Sequence, residues 1–182
     1  GKKAADDGYA EALHLLYTAA DVEHQIVQAT LSHSGQAHRF NKVRIQGNWR
    51  NVDAFIDDVE RGELHIVGHG YCLFSDDYAS RVYDWDREAY PEAKRENNWH
   101  QRKNLVATNQ EELEALVAEG IEKGQCQISL WIPAYTRDAF DFTFLRQNPK
   151  VESYTAMATH NWPMPEKDDV YPSEAIFVPV YN

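Results

Sequence analysis

Hydrophobic positions recur along this chain in two periods, one helical and one of strands. Between Ala4 and Ala20, the residues Tyr9, Leu13, Leu16 and Ala20 return at helical spacing and predict an N-terminal helix. After Asp21, Val27, Ala29 and Leu31 alternate with Gln28 and Thr30, which is the period of a strand. The Ser, Gly and Gln content of SHSGQAHR (32–39) marks a loop.

Two later stretches share one grammar. In NKVRIQGNWRNVDAFIDDVERGELHIV (41–67), a short strand carries Val43 and Ile45, and a helix follows with Val52, Phe55, Ile56 and Val59 on one stripe. Gly62 stops that helix, and a strand with Leu64 and Ile66 closes the unit. In RKNLVATNQEELEALVAEGIEKGQCQISLWI (102–132), the strand is Leu105 to Ala107, and Thr108 and Glu111 make a capping box. Leu113, Leu116, Val117 and Ile121 face inward, Gly124 ends the helix, and Ile128, Leu130 and Ile132 alternate up to Pro133.

Two strand–helix–strand units predict an α+β fold with a ferredoxin-like βαββαβ core over 40–132. Residues 1–39 add the helix and a strand, and 133–182 form a C-terminal antiparallel β extension, all within a single domain, 1–182. In the extension, Phe142 and Phe144 alternate about Thr143, QNPK (147–150) turns the chain, and VESYTAMATH (151–160) is the return strand. AIFVPVY is the last strand, and Pro179 within it points to a sheet edge. Between the two units lies the polar, aromatic and acidic segment 75–102, too long to be structureless and so expected to hold a hairpin or helix of its own.

Charge sharpens the picture of that segment. The chain carries a net −11, distributed unevenly. Residues 1–50 hold six Lys/Arg against five Asp/Glu, while residues 51–124 hold eight against 17, a net of −9. General duplex DNA binding is disfavoured, because phosphate affinity needs a basic footprint. A basic protein surface is the partner that charge favours. No run of about 18 apolar residues is present to span a membrane. No charged-then-apolar leader opens the sequence, and Cys72 and Cys126 fit free thiols in a reducing cytoplasm.

Candidate chemistry is sparse. In HIVGHGYCLF (65–74), His65 and His69 are four apart, a metal-binding spacing on a helix. The flanking Ile, Val and Gly favour a strand, on which four residues span about 13 Å, so the pair cannot share one ion unless a glycine breaks the strand. Strand parity places Cys72 with Leu64, Ile66 and Phe74 as a packed thiol, and Cys126 with Ile128 and Leu130. His33 and His38 flank a loop and are expected to be solvated. No phosphate loop, nucleophile elbow, HExxH or kinase motif occurs, and no metal or cofactor is expected.

Three functional expectations follow. The preferred one is a non-catalytic, acidic interaction or regulatory protein that binds a basic partner, as an inhibitor or nucleic-acid mimic, through Asp76, Asp77, Tyr83, Asp84, Trp85, Asp86 and Glu88. The second is single-stranded RNA or DNA binding on an open sheet face that carries Phe40, Lys42, Arg44 and Trp49. The third is a hydrolase or transferase using His65 and His69 with a carboxylate such as Asp76.

Overall fold

The computed structural model describes residues 5–61, 64–95, 97–159 and 169–182. The chain is mixed helix and strand with antiparallel sheets, and it divides into two compact units. The first comprises 1–67 and 71–99, and the second 68–70 and 100–182.

In the first unit, α1 (Ala5–Ala19) packs on β1 (His24–Leu31) and β2 (Ala37–Ile45). A two-residue loop joins β2 to β3 (Asn48–Val52); Gln46 and Gly47 both take positive φ, 51° and 78°, as a hairpin turn matched to strand twist requires. The single turn α2 (Ala54–Asp57) is capped by Asp53, whose Oδ1 accepts from the Phe55 and Ile56 amides. It ends where β4 (Asp58–Arg61) pairs with β5 (Leu64–Val67) in a two-stranded ribbon. Then follow β6 (Cys72–Phe74), the turn α3 (Asp76–Ala79) capped by Ser75, β7 (Tyr83–Asp84) and a 3₁₀ turn, Arg87–Ala89. The main sheet runs β6-β3-β2-β1-β7.

Both faces of this sheet are covered. Arg39, Asn41 and Val43 alternate toward α1: Asn41 Nδ2 donates to the Ala10 carbonyl and Arg39 pairs with Asp7 and Glu11. His38, Phe40 and Lys42 point the other way, into an aromatic layer built by the segment after β6. Phe40 lies 5.0 Å from the Tyr83 ring, 6.3 Å from Phe74 and 5.8 Å from Trp85. The acidic insert is therefore the second layer of a packed core rather than a surface appendage.

The turn α4 (Trp99–Arg102) begins on the last residue of the first unit, and in the second unit α5 (Gln110–Glu122) precedes β8 (Ile128–Tyr135). A 3₁₀ turn, Thr143–Gln147, leads to β9 (Val151–Ala158) and β10 (Tyr171–Tyr181), and the sheet order is β8-β10-β9, all antiparallel. Leu113, Val117 and Ile121 of α5 bury against Ile128, Leu130 and Ile132 of β8, each worth about 1.5–3 kcal/mol by transfer. The helix ends in a Schellman motif: Gly124, at φ 66°, donates to the Ile121 carbonyl and Gln125 to the Gly120 carbonyl.

Several expectations need correction. The four strands of the proposed ferredoxin-like core do not share a sheet: β2 pairs with β1 and β3, β5 pairs with β4, and β8 pairs with β10. The second strand–helix–strand unit survives in part, because Val106 bridges Trp131 in parallel. The helix expected over 52–59 is one turn long, since the chain from Asp58 pairs with β5. The cap of α5 sits one residue later than expected: Asn109 accepts from the Glu112 amide, and Glu112 reaches back to Thr108. Thr143 opens a 3₁₀ turn, not a strand. Pro179 lies in the central strand, at the stretch beyond Phe177 that β8 no longer pairs, so it costs no ladder bond there. Gly62 lies outside the described residues, as does most of the Pro-rich stretch before Tyr171.

Candidate functional site

Of the residues proposed to meet a partner, two are structural. Tyr83 is 1% exposed, and its hydroxyl donates to Asp53 Oδ2 at 2.6 Å. Burial, then the Asp53 charge, pushes its phenol well above the usual range. His38, expected in solvent, is also buried: its Nε2 lies 2.5 Å from the same Asp53 oxygen and its ring stacks on Tyr83, while His33 remains exposed.

Asp76 is likewise buried. Its Oδ1 accepts from Lys42 Nζ at 2.5 Å and Asn51 Nδ2 at 2.8 Å, and its Oδ2 from the Ala93 amide at 3.0 Å. Burial lowers the Lys42 pKa, and the Asp76 bond and charge offset this in part. Phe40 and Lys42, expected on an open face for nucleic acid, are 1% and 0% exposed. They cannot stack bases or meet phosphates. Arg44 is exposed and paired with Glu23 at 2.8 Å, and Trp49, its partner across β3, is half-buried.

The other described carboxylates of the acidic segment stay outside. Asp77, Asp84, Asp86, Glu88 and Glu92 are exposed, between the buried anchors Asp76, Tyr83 and Ala93. Trp85 is half-buried, and the Arg87 guanidinium lies over its ring at 4.9 Å and donates to the Asp76 carbonyl. Asp86 Oδ1 accepts from the Glu88 amide, which fixes the turn that presents Asp84, Asp86 and Glu88 within five positions.

The histidine stretch breaks as well. β5 ends at Val67, so His69 is not on the strand, and the His65 side chain lies outside the described residues. The register between β3 and β6 opposes Asn51 to Phe74 and Val52 to Cys72, leaving Leu73, at φ 66°, as a bulge. Cys72 and Phe74 therefore face opposite sides, against the expected parity. Phe74 joins the aromatic layer, while half-buried Cys72 lies near Tyr17 of α1, whose phenol burial and then the thiol charge push up to about 12. Cys126 is exposed rather than packed.

His69 instead belongs to a buried polar cluster in the second unit. Glu174 Oε1 accepts from the His69 amide at 2.8 Å and Oε2 from the Gly70 amide at 3.0 Å. Ser129 Oγ donates to Glu174 Oε1, and His100 Nε2 lies 2.6 Å from Ser129 Oγ and 3.2 Å from Glu174 Oε1. Burial raises the Glu174 pKa, but the bond and charge of His100, then Ser129 and the His69 amide, outweigh it and hold the carboxyl low. Burial also lowers the His69 imidazole, with Glu174 opposing and His100 reinforcing. These three side chains were missed in the sequence; a glutamate beside the apolar run of β10 was the available signal.

Ser, His and Glu side by side invite a nucleophilic reading, which the geometry opposes. A relay needs the hydroxyl on one imidazole nitrogen and the carboxylate on the other. Here Nε2 faces both, so the carboxylate takes the hydroxyl hydrogen bond directly. His100 is 0% and Glu174 2% exposed, which seals the cluster from substrate. Among the described residues, no group of three His, Cys, Asp or Glu is placed to hold a metal, and no helix is long and apolar enough to cross a membrane. Compared with known proteins, the chain matches no family model and no curated sequence.

Proposed function

We propose that this chain is a non-catalytic interaction or regulatory protein that binds a basic partner surface through Asp77, Asp84, Asp86 and Glu88. One observation carries the reading: the three carboxylates of 84–88 are exposed on a turn whose neighbours, Tyr83 and Trp85, are anchored in the aromatic core. Such a turn meets a partner with little ordering cost. Carboxylates held at close spacing can occupy the cation sites of a surface that binds phosphates, which supports an inhibitor or mimic role. Half-buried Trp85, with Arg87 already stacked on it, supplies the aromatic contact beside them. The net −9 of residues 51–124 adds long-range attraction for a basic surface. A cytoplasmic setting suits the two free thiols.

The test is native capture with the wild-type chain and with the Asp84→Lys, Asp86→Lys, Glu88→Lys triple variant, with both captured sets identified by mass spectrometry. The proposal expects basic proteins to be retained by the wild type and lost with the variant. Equal retention by both refutes it.

A further inference from the structure

The end of α1 brings two histidines together. The Asp21 amide donates to the Thr18 carbonyl at 3.2 Å and the Val22 amide to the Tyr17 carbonyl at 2.9 Å, with Asp21 at φ 52°. This is a Schellman motif in which an aspartate takes the left-handed position that glycine usually fills. The chain reverses there, and His24, the first residue of β1, meets His14 of α1. His24 Nε2 lies 2.7 Å from His14 Nδ1, with ring centroids 4.8 Å apart and both rings half-buried. The opposite nitrogen of His24, Nδ1, lies 2.7 Å from the Val22 carbonyl oxygen. A carbonyl only accepts, so Nδ1 carries the hydrogen and Nε2 of the neutral ring keeps its lone pair. His14 Nδ1–H donates to that lone pair.

We propose that His14 Nδ1 and His24 Nε2 are the two protein ligands of a site for one imidazole-preferring divalent ion, Zn²⁺ or Cu²⁺, with water completing the coordination. The His24 ring is already set as metal-ligating histidines are, with its other N–H given to a backbone carbonyl. The spacing agrees. Two nitrogens each about 2.1 Å from a tetrahedral ion lie about 3.4 Å apart, so the rings need separate by only about 0.7 Å from their present contact. The ion takes the place of the shared proton: His14 gives up the proton on Nδ1 and takes one from solvent on Nε2, so the charge of the pair does not change. The Tyr17 ring flanks His24 at 5.5 Å, but its phenol, pushed up to about 12 by burial and then by the Cys72 charge, stays neutral and adds no ligand. The net −11 of the chain draws cations toward it. Two imidazoles select against Mg²⁺ and Ca²⁺, which take oxygen ligands. The residues are distinct from those of the carboxylate turn at 84–88, and a bound ion would tie α1 to β1.

The experiment titrates the whole chain with Zn²⁺, and with Mg²⁺ for comparison, followed by calorimetry and by nitrogen NMR of the imidazoles. Zn²⁺ is expected to shift His14 Nδ1 and His24 Nε2 while His24 keeps its Nδ1–H, and Mg²⁺ to shift neither. His14→Gln and His24→Gln should each weaken Zn²⁺ binding at least tenfold, with the fold unchanged by circular dichroism. Cys126→Ser and His33→Gln, which remove an exposed thiol and an exposed imidazole elsewhere, should leave the shifts at His14 and His24 as they are. Absence of both imidazole shifts at millimolar Zn²⁺, or undiminished binding by the His14 and His24 variants, overturns the assignment.

Discussion

Glu174 holds the Gly70 amide at 3.0 Å, and a Cβ on Gly70 would sit 3.2 Å from the carboxylate oxygen that accepts it. The absence of a side chain at this position is what lets the two consecutive amides of His69 and Gly70 close on one carboxylate. Gly70→Ala should therefore push Glu174 off its partners and destabilise the second unit by about 1–3 kcal/mol, as overpacking of a buried site does. Urea unfolding followed by signals from β8 and β10 measures it.

The same cluster sets an acid dependence. His69 has a lowered pKa, so its contribution is present above its ordinary value of 6.5 and is lost as pH falls through the folded value. Glu174 is lowered too, so its contribution is present above 4.5 and fades below, as the folded carboxyl protonates. Thermal unfolding between pH 8 and pH 3 should show stability falling in two stages. His69→Gln should remove the upper stage and Glu174→Gln the lower.

Lys42 and Asp76 form a buried pair whose members depend on each other. Lys42→Met leaves a buried carboxylate short of one donor and should cost about 3–5 kcal/mol. Lys42→Met combined with Asp76→Asn removes both charges; the remaining side-chain oxygen accepts from the Ala93 amide, and the new NH2 faces Asn51, whose amide turns to accept from it. The double variant should recover most of the loss, which a double-mutant cycle in urea reads directly.

Gly120 lies where α5 meets β8. An added Cβ would fall 2.7 Å from both Ile128 Cδ1 and Cγ1, so Gly120→Ala should destabilise by about 1–3 kcal/mol despite the better helix propensity of alanine. Adding Ile128→Val, which removes Cδ1, should return part of the loss in the same assay.

Much of the local structure was legible because it is written in short-range periods. The N-terminal helix, the strand at Val27–Leu31, the inward stripe of α5 and its glycine stop all follow from residues a turn or two apart. Sheet membership was not, because pairing between distant strands leaves no local mark: Val43 and Ile45 look the same whether the neighbour is β3 or β5. The bulge at Leu73 inverted the parity of Cys72, since one extra residue exchanges the faces. The acidic insert was misjudged at Asp76 and Tyr83 for a related reason. A carboxylate is expected in water, and only the positions of Lys42, Asn51 and the Ala93 amide make its burial favourable. What remained exposed, Asp84, Asp86 and Glu88, is the part on which charge alone was informative.

The central claim is that this preordered acidic turn carries recognition. Its most direct measurement is the association rate of the captured basic partner at 50 and 300 mM salt, for the wild type and for the Asp84→Lys, Asp86→Lys, Glu88→Lys variant. Electrostatic steering predicts a wild-type rate that falls steeply with salt, and a variant rate at least tenfold slower at low salt with unchanged thermal unfolding. Equal rates for the two chains at 50 mM salt would contradict the account.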